Sequence, residues 1–90
     1  MIRNYQIHIA GKVQGVWFRK YTYQEAIKLQ LTGYVRNEPG GGVYVEAEGE
    51  EDQLILLLRF LEQGSPMSKV SSVSHKEASL KNFETFIVSR

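Results

Sequence analysis

Ninety residues with a formal net charge of +1 suffice for one domain with a modest core. The charge is too balanced to hold nucleic acid or an acidic membrane by bulk electrostatics. Cysteine is absent, which removes disulfides, thiolate nucleophiles and thiolate metal sites and suits a cytoplasmic chain. The N-terminus has no apolar signal core, and the longest apolar run, Leu54 to Leu58, is too short to span a bilayer. Neither a membrane nor a nucleic acid is expected as a partner.

Tyr5-Gln6-Ile7-His8-Ile9 alternates, with Tyr5, Ile7 and Ile9 on one face, and predicts a half-buried strand. Residues 18 to 31 predict a helix burying Tyr23, Ala26, Ile27 and Leu31. Thr22 and Glu25 have the spacing of a capping box, which would start that helix late. A start near Phe18 is preferred because it sets the positive end of the helix beside Arg19. Gly33-Tyr34-Val35-Arg36-Asn37 is a short strand. Glu38-Pro39-Gly40-Gly41-Gly42 is a hairpin connection, and Val43 to Glu48 alternates as its second arm. Glu50, Glu51 and Asp52 favour a second helix start. Leu54, Leu57, Leu58 and Leu61 form its buried stripe, and Gly64 and Pro66 stop it. Val70 to Glu77 predicts a weaker strand in which Val70 and Val73 have opposite parity, the mark of a bulge or an edge. Ala78 to Asn82 is a loop. Phe86-Ile87-Val88 is a final strand with Phe86 and Val88 inward.

This order fits the α+β, ferredoxin-like split βαβ pattern (βαββαβ) with a short strand added, as one domain over residues 1–90. The expected architecture is an antiparallel sheet with two helices packed on one face and solvent on the other.

The stretch Gly11-Lys12-Val13-Gln14-Gly15-Val16-Trp17-Phe18-Arg19 has the parts of an anion cradle. A strand delivers it, glycines let N–H groups converge, a helix start adds a positive end, and Arg19 offers a planar charged fork. On residues alone a second reading stands beside it: Gly11 and Gly15 as turn glycines, Arg19 as a solvated helix residue, and Asn37 as a strand-end residue. The topology favours the cradle, because the ends of the first two strands could lie at one edge of the domain and bring Asn37 near it. Other chemistries lack their residues. Asp52 is the only aspartate and belongs to a helix start. His8 and His75 are single, on different elements, and read as surface or satisfied histidines, so no metal site is expected. Lys12 and Arg36 read as solvated or steering charges.

These residues resemble the acylphosphatase family. Gly11 to Arg19 matches its first signature, in which only the Lys12 and Trp17 positions vary freely. Gly33-Tyr34-Val35-Arg36-Asn37, followed by Gly41, Val43 and Gly49, matches its second at the expected spacing. The resemblance covers nearly the whole chain and is looser after Gly64. It implies hydrolysis of a carboxyl–phosphate anhydride to a carboxylate and inorganic phosphate, without metal or cofactor. By the same resemblance, the amides of Gly11, Lys12, Val13, Gln14, Gly15, Val16, Trp17 and Phe18, with Arg19, bind the phosphoryl group, and Asn37 orients the attacking water. The partners implied are an acyl phosphate and inorganic phosphate. A monomer is expected, since no extended apolar patch is visible. Two competitors remain: a non-catalytic ferredoxin-like anion- or RNA-binding module, with Tyr34 and Tyr44 as a stacking surface, and a similar domain inside a larger carbamoyl-transfer enzyme. The span from Met1 to a terminal strand favours a free-standing enzyme over the latter.

Overall fold

A computed structural model describes residues 1–89. Strand β1 (Ile2–Lys12) leads to helix α1 (Phe18–Lys28), strands β2 (Thr32–Asn37) and β3 (Val43–Glu50), helix α2 (Glu51–Gln63), strand β4 (Lys69–Ala78) and strand β5 (Phe86–Val88). The strands form one sheet in the order β4-β1-β3-β2-β5. Three pairings are antiparallel, but β5 runs parallel to β2, so the sheet is mixed rather than wholly antiparallel. The reason is the route of the chain. β4 and β5 lie on opposite edges, and the segment between them crosses the sheet instead of turning back on itself.

Alternation settles which side chains meet the helices. Ile7 and Ile9 of β1, Val35 of β2 and Val43 and Val45 of β3 are fully buried with Phe18, Leu54, Leu57 and Leu61 of the helices. On α1 the inward positions are Phe18, Thr22 and Ala26, four residues apart, while Tyr23 and Ile27 are exposed. This corrects the expected face. Small side chains at 22 and 26 let the helix sit close on the sheet and turn the larger neighbours outward. Tyr23 instead covers the edge of Phe86, with ring centroids 6.3 Å apart. The helix ends at Lys28, ahead of the expected Leu31, with Gln30 in the left-handed region (φ 60°). Leu31 is buried as expected, its N–H on the Ala26 carbonyl. Thr22 lies inside the helix, so its capping-box spacing has no role in starting it. Leu58 is only partly buried, and Val88 is exposed where an inward position was expected. β4 is an edge strand, and its register against β1 shifts between Ala10 and Gly11, as the valine parity implied.

The face away from the helices, expected to meet solvent, is open only in part: His8 and Arg36 are exposed on it, but its other end is covered. Asn4, Glu46 and Glu48 are buried there, and the segment 79–85 is fastened over them. Glu48 accepts hydrogen bonds from the backbone N–H groups of Lys81 and Phe83 and from Asn4. Glu46 pairs with the Lys81 ammonium and accepts from Asn4 and the Tyr34 hydroxyl. Two carboxylates survive burial because each is supplied with donors. Burial works to raise the Glu46 carboxyl, but hydrogen bonds from Lys81 and Asn4 outweigh it and hold the group below its ordinary value of 4.5. Glu48 is held low in the same way, with burial opposed by Asn4 and the backbone N–H groups of the crossing segment.

Both folded values lie below the unfolded one, so this stabilisation is complete above the ordinary carboxyl value and is lost as pH falls through the lowered folded values. Unfolding free energy should therefore decline once pH drops below about 4.5. Glu46→Gln and Glu48→Gln should each flatten that decline. Denaturant midpoints at stepped pH measure it, and an unaltered slope in both variants would place the acid sensitivity elsewhere.

Candidate active site

Val43, at the start of β3, pairs with Ile9 of β1 on one side and Asn37 of β2 on the other. β1 and β2 are each antiparallel to β3, so they run the same way and end at the same end of the sheet. β5, parallel to β2, ends there too. The residues leaving these strands, together with the start of α1, are thus brought to one corner. Asn37 has the parity of Val35 and so lies on the helix side of the sheet.

The connection from β1 to α1 passes through Gly15 at φ 72° and Trp17 at φ 64°, with no left-handed residue between them. Alternation of this kind turns successive N–H groups toward one concavity. The loop's carbonyls are partly engaged: Val16 accepts from the Ser65 hydroxyl at 2.9 Å and Trp17 from the Tyr21 N–H at 3.0 Å. The N–H groups of Gln14, Gly15, Val16 and Trp17 have no acceptor among the described residues. The first turn of α1 carries no acidic residue and its N-cap, Trp17, makes no side-chain cap. The positive end of the helix is therefore uncompensated, an arrangement suited to an anion.

A cavity of about 460 Å³ opens at this corner, lined by Val13, Gly15, Trp17, Phe18, Arg19, Lys20, Tyr23, Asn37 and Val88. Among the described residues its charged lining groups are Arg19 and Lys20, with no carboxylate or imidazole. One guanidinium nitrogen of Arg19 donates to the Ser89 carbonyl at 2.9 Å, and the Ser89 N–H is held on the Val35 carbonyl at 2.8 Å. The remaining guanidinium donors have no partner among the described residues. The Asn37 side-chain oxygen is buried without a hydrogen-bond partner. A carboxamide beside a cavity with an unused acceptor has capacity for one more donor.

Not every residue of the glycine stretch borders the cavity. Gly11 and Lys12 belong to β1 and pair with β4. A side chain at Gly11 would overlap the Lys69 carbonyl, so glycine there serves the close strand approach at the register shift. Gln14 points to the hairpin, donating to the Glu38 and Gly42 carbonyls, both at 2.8 Å. Val16 packs against the core. His8 and His75 are exposed and outside the lining, the first beside Glu38 at 3.2 Å and the second stacked on Tyr5. Among the described residues no group of three or more His, Cys, Asp or Glu could hold a metal. The sequence reading missed Ser65 and Ser89 as supports, and Lys20, Tyr23 and Val88 as lining residues. Tyr23 follows Arg19 by four residues and Lys20 follows Trp17 by three, helical spacings that are a usable signal, whereas Ser65 and Ser89 reach the site only through tertiary folding.

The expected stacking surface is also taken. Tyr44 is buried beneath the Arg36 guanidinium, 4.8 Å from its ring, and Tyr34 is edged by Phe83. Burial pushes the Tyr44 phenol up to about 12.

The glycine corner, the uncovered helix end and the antiparallel core match a known class. The family model described as Acylphosphatase matches residues 5–88. An acylphosphatase of Archaeoglobus fulgidus is 42% identical, over 92% of this chain and 93% of its own length. One of Bacillus licheniformis is 44% identical, over 94% of this chain and 96% of its own. The crystal structure of the acylphosphatase from Bacillus subtilis superposes with a TM-score of 0.95 at 38% identity, covering all of both chains. The chain belongs to the acylphosphatase family. The non-catalytic RNA- or anion-binding alternative finds no support in these relatives.

Gln14 ties the loop to the hairpin by two bonds. Gln14→Ala should destabilise the fold by about 1–2 kcal/mol, at roughly 1 kcal/mol per bond. It should also weaken inorganic phosphate binding several-fold. Denaturation and a phosphate titration measure both, and an unchanged phosphate affinity would mean the loop holds its shape without this tie.

Proposed function

We propose that the chain hydrolyses acyl phosphates by direct attack of water on a phosphoryl group held in the corner between β1 and α1. The observation that carries this reading is the run of N–H groups from Gln14 to Trp17 without an acceptor among the described residues, at a cavity that Gly15, Trp17 and Arg19 line. Phosphoryl transfer proceeds through a loose transition state with charge spread over the equatorial oxygens. Fixed donors can stabilise that charge without reorganising. Arg19 supplies the charged fork, and its bond to Ser89 fixes the fork's angle.

Asn37 aims the water. A neutral carboxamide can accept a hydrogen bond from water but cannot take its proton at neutral pH. With no carboxylate or imidazole among the described lining residues, the water's proton passes to a phosphoryl oxygen of the substrate. The new bond joins water oxygen to phosphorus, and the bond broken joins phosphorus to the acyl oxygen. The carboxylate departs as a stable anion and needs no general acid. The donor set supports a metal-independent reaction, since two cations and an amide are poor company for a divalent ion. No helix among the described residues is long and apolar enough to cross a membrane. We take the chain as a cytoplasmic monomer of one domain, with acyl phosphate and phosphate as its partners and no nucleic acid.

Hydrolysis of benzoyl phosphate in the presence of a chelator tests the reading. Wild type should turn over undiminished. Arg19→Ala should abolish measurable turnover and weaken phosphate binding. Asn37→Ala should lower kcat by about 10²–10³, the scale for one preorganised group, while phosphate still binds. Normal turnover in Asn37→Ala would remove the water-positioning role. The pH profile should show no inflection near about 6.5, the ordinary histidine value. A loss of activity tracking such a group would overturn the substrate-assisted route.

A further inference from the structure

We infer that Trp17, Tyr23 and Val88 seat the organic half of the substrate and select acyl phosphates whose acyl group is aromatic. This inference rests on the acyl-phosphate reading above. The cavity, at about 460 Å³, falls within the roughly 300–1,000 Å³ of sites that enclose whole organic ligands. The phosphoryl donors account for only part of its wall. Trp17, Tyr23 and Val88 supply apolar surface in the same cavity and are 68%, 37% and 43% exposed.

Trp17 is the most telling of the three. It is the chain's single tryptophan and the N-cap of α1, held in the left-handed region at φ 64°. That conformation is unfavourable for a bulky side chain, and exposure of an indole is unfavourable again. The folded chain gains no core packing from it in return. Its neighbour Lys20 places the ammonium 5.2 Å from the indole centroid, a cation–π pairing that helps to fix the ring at the cavity. An acyl phosphate joins its carbonyl carbon to the phosphoryl group through one oxygen. A substrate held by the amide of residue 17 and the guanidinium of residue 19 therefore carries its acyl group into the immediate surroundings of the indole. A flat ring conjugated to that carbonyl can stack there, where a methyl group makes little contact.

The test compares two non-hydrolysable phosphonates, phenacylphosphonate and acetonylphosphonate, whose affinities are measured by calorimetry on the whole chain. Wild type should bind the phenacyl compound about tenfold or more tightly. In Trp17→Gly, chosen because glycine takes positive φ without strain, that ratio should fall about fivefold to tenfold. Trp17→Phe should restore most of it. A wild-type ratio near one overturns the inference. So does a Trp17→Gly variant that loses affinity for both compounds with the ratio kept, since the indole would then act only on loop shape. A ratio that collapses in Lys20→Met but not in Trp17→Gly assigns selection to the charge and overturns it as well. Parallel assays of benzoyl and acetyl phosphate separate the two readings: no hydrolysis of either would sink the proposed reaction, while the affinity ratio would still decide the acyl seat.

Discussion

Pairing along both edges of β3 places everything else in this molecule. Through Val43 it sets the end of β1 opposite the end of β2, one strand apart, and so fixes the distance between the glycine loop and Asn37. Through Glu46 and Glu48 it also fastens the segment that carries the chain across to β5. That crossing delivers Ser89 to the Arg19 guanidinium. One strand thus governs both sides of the sheet: apolar residues on one face build the core, and carboxylates on the other position the last strand.

Within the corner, the division of labour between carbonyls and N–H groups is the main electrostatic fact. Two of the loop's carbonyls accept bonds from the protein's own donors, while its N–H groups are left over. A loop arranged in this way presents positive partial charge without a dedicated cation for each position. Arg19 then adds one full charge whose angle is set by a backbone carbonyl, and a carbonyl does not neutralise it as a carboxylate would.

Much of this was legible in the residues. The alternation in β1 and β3 and the glycine-rich hairpin identified three strands. The spacing from Gly11 to Arg19, with Asn37 at the end of a strand, identified the corner. The less legible parts have physical causes. Helix α1 turns on two small residues, Thr22 and Ala26, and a periodicity argument that follows large apolar side chains selects Tyr23 and Ile27 instead. Glu46 and Glu48 alternate correctly for a solvent face, and only the crossing segment reveals that they are buried. Ser65 and Ser89 lie far along the chain from the groups they hold, and no local pattern could name them. The glycine spacing assigns Gly11 to the cradle, whereas the register shift at Ala10 and Gly11 shows the separate demand that β4 makes on it.

The pairing of β1 with β4 has a consequence for the order in which the molecule comes into being. Asn4 lies opposite Ala78, so one edge of the first strand is completed by residues far along the chain. Loop closure across that separation is slow, and sheets built from distant partners fold more slowly than those built from neighbours. During synthesis β1 can associate with β3 once the hairpin has emerged, yet its outer backbone groups stay unpaired until β4 follows. The nascent chain therefore passes through a stage with an open strand edge, the kind of surface through which chains associate wrongly. The serines, lysines and glutamate that line β4 keep that edge polar on the strand that finally closes it.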